Sequence, residues 1–230
     1  MKLKSEGACR FCNKTFSAAA MLRHLQSCSE RKKVQDKEEK KWKIFLLRAQ
    51  AGPFFVYFET KAASTLRDVD AFLRQLWLEC CGHLSAFTIN NVRYELDTGC
   101  VDSMWTEIFG RAHPTKSMDT KLYSVLCPGL KFSHEYDFGS TTRLEMMCIS
   151  ERQGTLKKID VLARNDLPDF VCISCGKPAK EVCTQCIWDG TGFFCEKCAK
   201  KHKCGDEMFL PVVNSPRMGM CGYTGNSDEW

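Results

Sequence analysis

Residues 172–204 read CISCGKPAKEVCTQCIWDGTGFFCEKCAKKHKC and contain eight side chains of the types that bind zinc. They form three C-x-x-C pairs and a closing His and Cys: Cys172 with Cys175, Cys183 with Cys186, Cys195 with Cys198, then His202 with Cys204. A C-x-x-C turn brings two thiolates to one ion, and its backbone amides can donate to the sulfurs. Eight ligands suit two tetrahedral zinc ions, so the sequence predicts a small module built around two metals.

The order of these pairs resembles that of cross-brace zinc modules of the MYND and B-box kinds. There the first and third pairs share one zinc ion, and the second pair shares the other with the terminal ligands. The resemblance implies two ligand sets, which are Cys172, Cys175, Cys195 and Cys198, and then Cys183, Cys186, His202 and Cys204. The closing His-x-Cys is tighter than MYND fingers usually have, so Cys221 is an alternative last ligand. Closed four-ligand sites leave no position for water, which indicates structural zinc.

A third ligand set lies near the other end of the chain. Cys9, Cys12, His24 and Cys28 have the order of a ββα zinc finger, in a CCHC variant with eleven residues between Cys12 and His24. The stretch 17–28 lacks Pro and Gly, so we expect a helix that projects its His and last Cys, four residues apart, from one face. So small a unit takes its folding energy from the metal. The chain as a whole therefore predicts about three zinc ions.

The finger is followed by a run of charges. Residues 29–43 read SERKKVQDKEEKKWK, and the first 43 residues hold twelve Lys or Arg against five acids. One interpretation is a solvated helix over 29–42, with Asp36–Lys40 and Glu39–Lys43 as pairs one turn apart. The other is a basic arm for nucleic-acid phosphates, which the interspersed acids weaken.

The middle of the chain, 43–165, carries the main hydrophobic pattern. Gly52-Pro53 and Asn90-Asn91 each separate two short apolar runs, as in β-hairpins. Thr65 with Asp68 predicts a capped helix start, followed by apolar residues at helical spacing up to Cys80. The predicted strands cover 44–49, 54–59, 87–89, 92–94, 131–138 and 143–150. The order ββαββ followed by further strands predicts an α+β fold with a mainly antiparallel sheet and a packed helix, flanked by the two small zinc modules.

Two stretches of this segment resemble a known family. Residues 81–89 read CGHLSAFTI and residues 131–139 read KFSHEYDFG, with Tyr94 between them. They are similar to the "HLYxFxI" and "YxYDFGDxW" strands of the plasmid pRiA4b ORF-3-like domain, over roughly 43–162. Where that family has Asp and Trp, this chain has Ser140, Thr141 and Thr142. The family has no established enzymatic activity. The resemblance therefore implies a fold, and a nucleic-acid context because members occur on plasmids and beside other mobile elements.

Four polar or aromatic side chains of this segment could meet in one ligand pocket: His83, Tyr94, Tyr136 and Asp137. A His paired with an Asp can act as a general base. It can equally be a buried His satisfied by its partner, with the Asp capping a tight turn at Gly139. Asp137-Phe138-Gly139 also spells a kinase metal-binding triplet, but no phosphate loop precedes it.

The other cysteines show no ligand spacing. Cys80, Cys81, Cys100, Cys127 and Cys148 are therefore expected to be buried small hydrophobes. The N-terminal stretch lacks the apolar segment of a secretory signal, which favours a cytoplasmic location and metal ligation over disulfides. A redox C-x-x-C requires a βαβ context that is lacking here, and an iron–sulfur cluster stays a minor alternative. No apolar run approaches the ~20 residues of a membrane span, so no membrane partner is expected.

These patterns predict four segments: a finger at 5–28, a charged linker at 29–42, an α+β domain at 43–165 and a cross-brace module with a draped loop at 170–225. The last residues, 226–230, are expected to fray. The function they favour is that of a non-enzymatic zinc-binding adaptor. Its expected partners are a nucleic acid, through the basic N-terminal segment, or a protein, through the C-terminal module. The alternative is an enzyme or small-ligand binder centred on His83, Tyr136 and Asp137.

Overall fold

The computed structural model describes residues 3–96 and 115–225, and its fold is α+β with mainly antiparallel sheets, as the sequence predicts. Within these residues the largest sheet has eight strands, and a two-stranded and a three-stranded sheet flank it in the sequence. From one edge to the other its strands are Asp160–Arg164, Phe54–Lys61, Trp42–Ala51, Thr142–Gly154, Lys131–Tyr136, Ser85–Ile89, Val92–Glu95 and Lys116–Ser117. Cys100 and the predicted frayed end at 226–230 lie outside the described residues.

The first half of the chain holds most of the helix. Its elements are β1 (Glu6–Ala8), β2 (Thr15–Ser17), α1 (Ala18–Ser27), α2 (Ser29–Gln35), β3 (Trp42–Ala51), β4 (Phe54–Lys61), α3 (Leu66–Leu73, continued by a wider turn over Arg74–Leu78), β5 (Ser85–Ile89) and β6 (Val92–Glu95). The second half is dominated by strands. Its elements are β7 (Lys116–Ser117), β8 (Lys131–Tyr136), β9 (Thr142–Gly154), β10 (Asp160–Arg164), β11 (Glu181–Cys183), β12 (Phe193–Phe194), α4 (Glu196–Ala199) and β13 (Phe209–Pro211).

Local sequence chemistry accounts for the hairpins and the main helix start. Ala51 pairs with Phe54 and Ile89 pairs with Val92, so both predicted hairpins close through two-residue turns. Asn90 and Asn91 have φ of 49° and 63°, the left-handed conformation that such a turn requires and Asn tolerates. Thr65 accepts a bond from the Asp68 amide while the Asp68 carboxylate accepts from the Thr65 amide, which confirms the capping box.

The large sheet is covered on both faces. Phe45, Leu47 and Val56 point to one face, where they pack with helix α3 and with parts of the C-terminal segment. Leu46, Phe55 and Tyr57 alternate to the other face and pack against the N-terminal finger. These faces hold the two larger apolar cores, and the residues around the C-terminal cysteines form a third, smaller one.

The linker differs from the expected helix over 29–42. Helix α2 ends at Gln35 and strand β3 begins at Trp42, so the pairs predicted one helical turn apart do not lie on a helix. Tertiary ion pairs replace them, since Glu38 contacts Arg152 of β9 at 2.7 Å and Lys43 contacts Glu151 at 3.1 Å.

A buried ion network joins the linker to the sheet. The Glu59 carboxylate, on β4, has a side chain that is 2% exposed. It accepts bonds from Arg31 of α2 at 2.6 Å and from the Arg152 guanidinium at 2.5 and 2.8 Å. Burial alone raises the pKa of Glu59, but the bonds from Arg152 and the charge of Arg31 outweigh it and hold that pKa below its ordinary value.

Candidate metal centres

Four groups of Cys and His side chains converge in the described residues. In each group the four candidate ligand atoms lie within 4.8 Å of one another. Three groups contain the predicted ligands, and the fourth is one that the sequence pattern did not indicate. Their members are Cys9, Cys12, His24 and Cys28; Cys172, Cys175, Cys195 and Cys198; Cys183, Cys186, His202 and Cys204; and Cys80, Cys81, His83 and Cys221.

The N-terminal group is built by a β-hairpin and a helix. Cys9 follows β1 and is fully buried, and the turn behind it closes through a bond from its own amide to the Lys14 carbonyl at 2.9 Å. Helix α1 brings His24 Nε2 to 3.2 Å from Cys12 Sγ. Phe16 stacks on the His24 ring with a centroid separation of 4.2 Å. Burial, with the charge of Lys14, lowers the pKa of His24 and so favours the neutral imidazole that a metal ion requires.

The finger is joined to the large sheet by backbone bonds. Arg10 donates its amide to the Leu162 carbonyl at 3.0 Å, and Asp166 donates to the Glu6 carbonyl at 2.8 Å, so β1 lies along the edge strand β10. At Gly7 a Cβ atom would lie only 2.0 Å from the Arg164 carbonyl oxygen, and this close approach requires glycine.

The finger helix is also packed against the sheet. Met21 and Leu25 of α1 are buried in the core that Phe55 and Tyr57 form on this face. The Tyr57 hydroxyl donates to the Ala18 carbonyl at 2.7 Å. This face of the finger helix is therefore committed to the protein's own sheet and is not open to a partner.

The first C-terminal group consists of four thiols. Cys175 Sγ and Cys195 Sγ lie 3.6 Å apart. Burial acts to raise the pKa of the Cys172 thiol, but amides of Cys195, Ser174 and Cys175 outweigh it and lower that pKa to about 6. Hydrogen bonds to Cys175, and to Cys195, raise the pKa of Cys198 to about 12. Thiols this close resist joint ionisation unless a cation lies between them, which is the condition that a metal ion provides.

The second C-terminal group mixes three thiols and an imidazole. Cys186 Sγ lies 3.4 Å from His202 Nε2 and 3.7 Å from Cys204 Sγ. The His202 ring contacts Phe194 and Phe209 at centroid separations of 4.5 and 5.6 Å, which holds its orientation. The structure places Cys204 in this group. Cys221, the alternative last ligand, belongs instead to the fourth group.

The spacing within these groups suits zinc. Bonds of about 2.3 Å to sulfur place two thiolates on one tetrahedral ion about 3.8 Å apart, close to the observed sulfur separations of 3.6 and 3.7 Å. Thiolate and imidazole donors suit zinc, whereas magnesium and calcium favour oxygen ligands. Four protein ligands would leave an ion held here no coordination site for substrate or water.

The prediction for the remaining cysteines is only partly right. Cys148 is a buried core residue, as expected, whereas Cys127 is exposed. Cys80 is only partly buried against the main core and Cys81 is exposed, and both lie in the fourth group. The sequence signal for this group is the local run Cys80-Cys81-Gly82-His83 at the end of the main helix. The last member of the group, Cys221, follows His83 by 138 residues, so the spacing of ligands along the sequence did not reveal the group.

The predicted ligand pocket is divided in the structure. His83 lies edge-on to Tyr136, and its Nε2 is 3.6 Å from Asp137 Oδ2. That same nitrogen faces Cys81 Sγ at 3.0 Å and Cys221 Sγ at 3.2 Å, so its environment is that of a metal ligand. Tyr94, on β6, pairs with Phe87 of β5 and is buried in the main core.

Asp137 has a structural role in this region. It accepts a bond from the Gly139 amide at 3.0 Å, as in the capped-turn alternative, and it pairs with Arg217. Its φ of 63° ends β8 at Tyr136, so the strand stops two residues short of the predicted 131–138. A different His–Asp pair is buried nearby, where His134 Nε2 lies 2.7 Å from Asp70 Oδ1 and ties α3 to the sheet.

The aromatic and aliphatic side chains of the C-terminal module divide into two sets. Phe194 is buried among the cysteines, and Phe193 stacks on Phe170 at 4.4 Å. Trp188 and Ile173 are exposed by 63% and 56%. Phe194 thus belongs to the module's own core, Phe193 packs with Phe170 against the main core, and Trp188 and Ile173 present apolar surface to solvent.

Comparisons with known proteins identify little. No protein-family model matches the chain, and no curated protein matches it. Among solved structures, the chain is similar to the protein of unknown function MM3350 from Methanosarcina mazei Go1, with 14% sequence identity, coverage of 55% of this chain and 72% of that chain, and a TM-score of 0.43. In the described residues, no helix is both long and apolar enough to cross a membrane.

Proposed function

We propose that this protein is a zinc-stabilised, non-enzymatic adaptor that binds a protein partner through its C-terminal module. The observation that carries the proposal is the set of closed Cys and His groups in the N-terminal and C-terminal segments. Each offers four ligands, and none of them includes an open position for catalysis. The metal ions then stabilise the segments that carry the binding surfaces. The resemblance to the pRiA4b ORF-3-like family, with its link to mobile elements, stays a prediction within this proposal.

The exposed apolar side chains favour a protein partner. Val171, Ile173 and Trp188 are exposed by 47%, 56% and 63%, and all three lie in or beside the metal-binding turns. Large exposed aromatic side chains are typical of binding hot spots, where they fill pockets of a partner. A rigid, metal-held loop presents such a side chain at little entropic cost.

Site-specific photo-cross-linking tests this branch. A photoreactive amino acid at position 188 is expected to capture one defined partner in the cells that make the protein. The same amino acid in place of Tyr123, which is 59% exposed on the central domain, is the matched control. Identical cross-linked products from both positions, or none from position 188, would contradict a binding face on the module.

A second candidate function, nucleic-acid binding, is favoured by one observation near the linker. Trp42 is 42% exposed, and Lys41 Nζ and Lys61 Nζ lie 5.4 and 5.5 Å from the centre of its ring. An aromatic side chain flanked by cations suits stacking on a base beside phosphates. Arg31, by contrast, is buried with Glu59 and is not available to phosphates.

Salt dependence distinguishes this candidate. Binding to a single-stranded oligonucleotide is measured between about 50 and 200 mM salt. Over this range an affinity that depends on phosphate contacts falls steeply as the salt concentration rises. Trp42→Ala is expected to weaken binding by about 1–3 kcal/mol. No binding at the lowest salt would remove nucleic acid from the list of partners.

A further inference from the structure

We propose that Cys80, Cys81, His83 and Cys221 bind a fourth zinc ion, which fastens the C-terminal segment to the central domain and exchanges more readily than the other three. The ligands come from two distant parts of the chain. The first three follow the wide last turn of helix α3, and the fourth belongs to the segment after β13. The inference concerns a ligand set that shares no residue with the other three groups.

The geometry of the group is that of a tetrahedral site. Cys81 Sγ lies 3.6 Å from Cys80 Sγ and 3.5 Å from Cys221 Sγ. His83 Nε2 lies 3.0 Å from Cys81 Sγ and 3.2 Å from Cys221 Sγ. Three thiols and one imidazole nitrogen thus surround a point with the edge lengths of a small tetrahedron. The donor set is the one that structural zinc sites use.

A hydrogen-bond donor outside the group supports one of its thiolates. Cys80 Sγ lies 3.7 Å from Arg217 Nη2. It is also 3.8 Å from the Tyr136 hydroxyl, which donates its proton to Glu79 at 3.1 Å. Arg217 itself is fully buried and pairs with Asp137. Donors of this kind orient metal ligands and stabilise the thiolate form, and they are a usual feature of zinc sites.

The segment around Cys221 is shaped to deliver that side chain. Cys221 has φ of 48°, and Gly219 and Gly222 on either side have φ of 80° and 68°. A left-handed conformation is unfavourable for a residue with a Cβ. Such strain persists where the surrounding structure or a ligand compensates for it, and a metal bond to Sγ would do so here.

The ion would close the end of a segment that already packs on the central domain. Ser215 donates its hydroxyl to the Trp77 carbonyl at 2.7 Å, and Arg217 donates to the Ser140 carbonyl at 2.5 Å. Met218 and Tyr223 are buried. The segment is therefore held by several contacts, and the metal joins its exposed tip to the end of helix α3.

Exposure distinguishes this group from the other three. Cys81 and Cys221 are exposed, and Cys80 and His83 are half-buried. Each of the other groups contains at least one buried cysteine, such as Cys9, Cys172 or Cys183. A chelator reaches exposed sulfurs first, so the ion of the fourth group is expected to leave first.

Native mass spectrometry of the full chain, purified with zinc, tests the proposal. The wild-type protein is expected to carry four zinc ions, and Cys221→Ser to carry three. The matched control is Cys127→Ser, which changes an exposed cysteine outside all four groups and is expected to keep four. Cys81→Ser serves as the second variant if Cys221→Ser fails to fold, as judged by circular dichroism.

A chelator time course supplies the second readout. A colorimetric zinc chelator is expected to remove one ion from the wild type in a distinct first phase, and this phase is expected to be missing from Cys221→Ser. Hydrogen exchange of residues 212–223 is expected to rise by at least tenfold after the first phase. Three ions in both proteins, with no difference in release, would overturn the fourth site while leaving the proposed function intact. No zinc in either protein would overturn both.

Discussion

The buried carboxylate of Glu59 allows a quantitative test of how the linker is joined to the sheet. Glu59→Gln keeps the shape of the side chain and removes its charge. The two guanidinium groups that contact it, on Arg31 and Arg152, would then share a buried site with a neutral amide. The structure shows three charge-assisted hydrogen bonds to this carboxylate, with lengths of 2.5 to 2.8 Å.

The expected loss of stability is large. Removing one partner of a buried ion pair costs about 3–5 kcal/mol, because the remaining charges stay buried without compensation. Glu151→Gln on β9 of the same sheet is the matched control. Its partner is Lys43, and the two side chains are 42% and 46% exposed, so the expected loss is about 0–1 kcal/mol.

Urea unfolding of the zinc-loaded protein, followed by circular dichroism, measures both values. The Glu59 carboxylate has a lowered pKa, so its stabilisation is fully present above the ordinary value of 4.5 and is lost as the pH falls further. The difference in unfolding free energy between wild type and Glu59→Gln is therefore expected to shrink below that pH. A loss of less than about 1 kcal/mol at neutral pH would refute the reasoning, since that is the range of an exposed pair.

Three further substitutions test local features of the fold. Thr65→Ala removes the cap of helix α3 and is expected to lower the free energy of unfolding by about 1 kcal/mol in urea, whereas Thr65→Ser is expected to restore most of it. Asn91→Ala is expected to cost about 1 kcal/mol because its φ is 63°, and Asn91→Gly to cost nothing; equal midpoints for the two would contradict the turn assignment. Gly7→Ala forces a Cβ against the Arg164 carbonyl and is expected to speed hydrogen exchange in the finger, and unchanged exchange would contradict the close approach.

The predictable parts of this fold are those set by neighbouring residues. The two-residue turns at Gly52-Pro53 and Asn90-Asn91 depend on local backbone preference, and the cap at Thr65 depends on a residue three positions away. The apolar residues at the start of β4 are continuous and do not alternate, which is typical of a strand with both faces buried, and both faces of β4 are buried. Each of these follows from a few adjacent residues, and the α+β class follows from their order.

The less predictable parts depend on contacts between distant residues. From its sequence the finger is interpreted as an independent unit, because nothing in that sequence shows that β1 lies along β10, some 150 residues later. The charge run by itself predicts a helix to residue 42. The ion pair between Glu38 and the distant Arg152 cannot be inferred from the neighbouring sequence. The fourth metal group is hidden for the same reason, since Cys221 is brought to Cys81 only by the packing of the whole segment.

The zinc content of the purified chain tests the central claim most directly. Elemental analysis of a sample purified without added chelator, with protein concentration taken from amino-acid analysis, gives the number of ions per chain. The arrangement of four closed ligand groups predicts four zinc ions, of which three remain after brief exposure to a chelator. One ion or none, in protein whose circular dichroism shows it to be folded, would contradict the account.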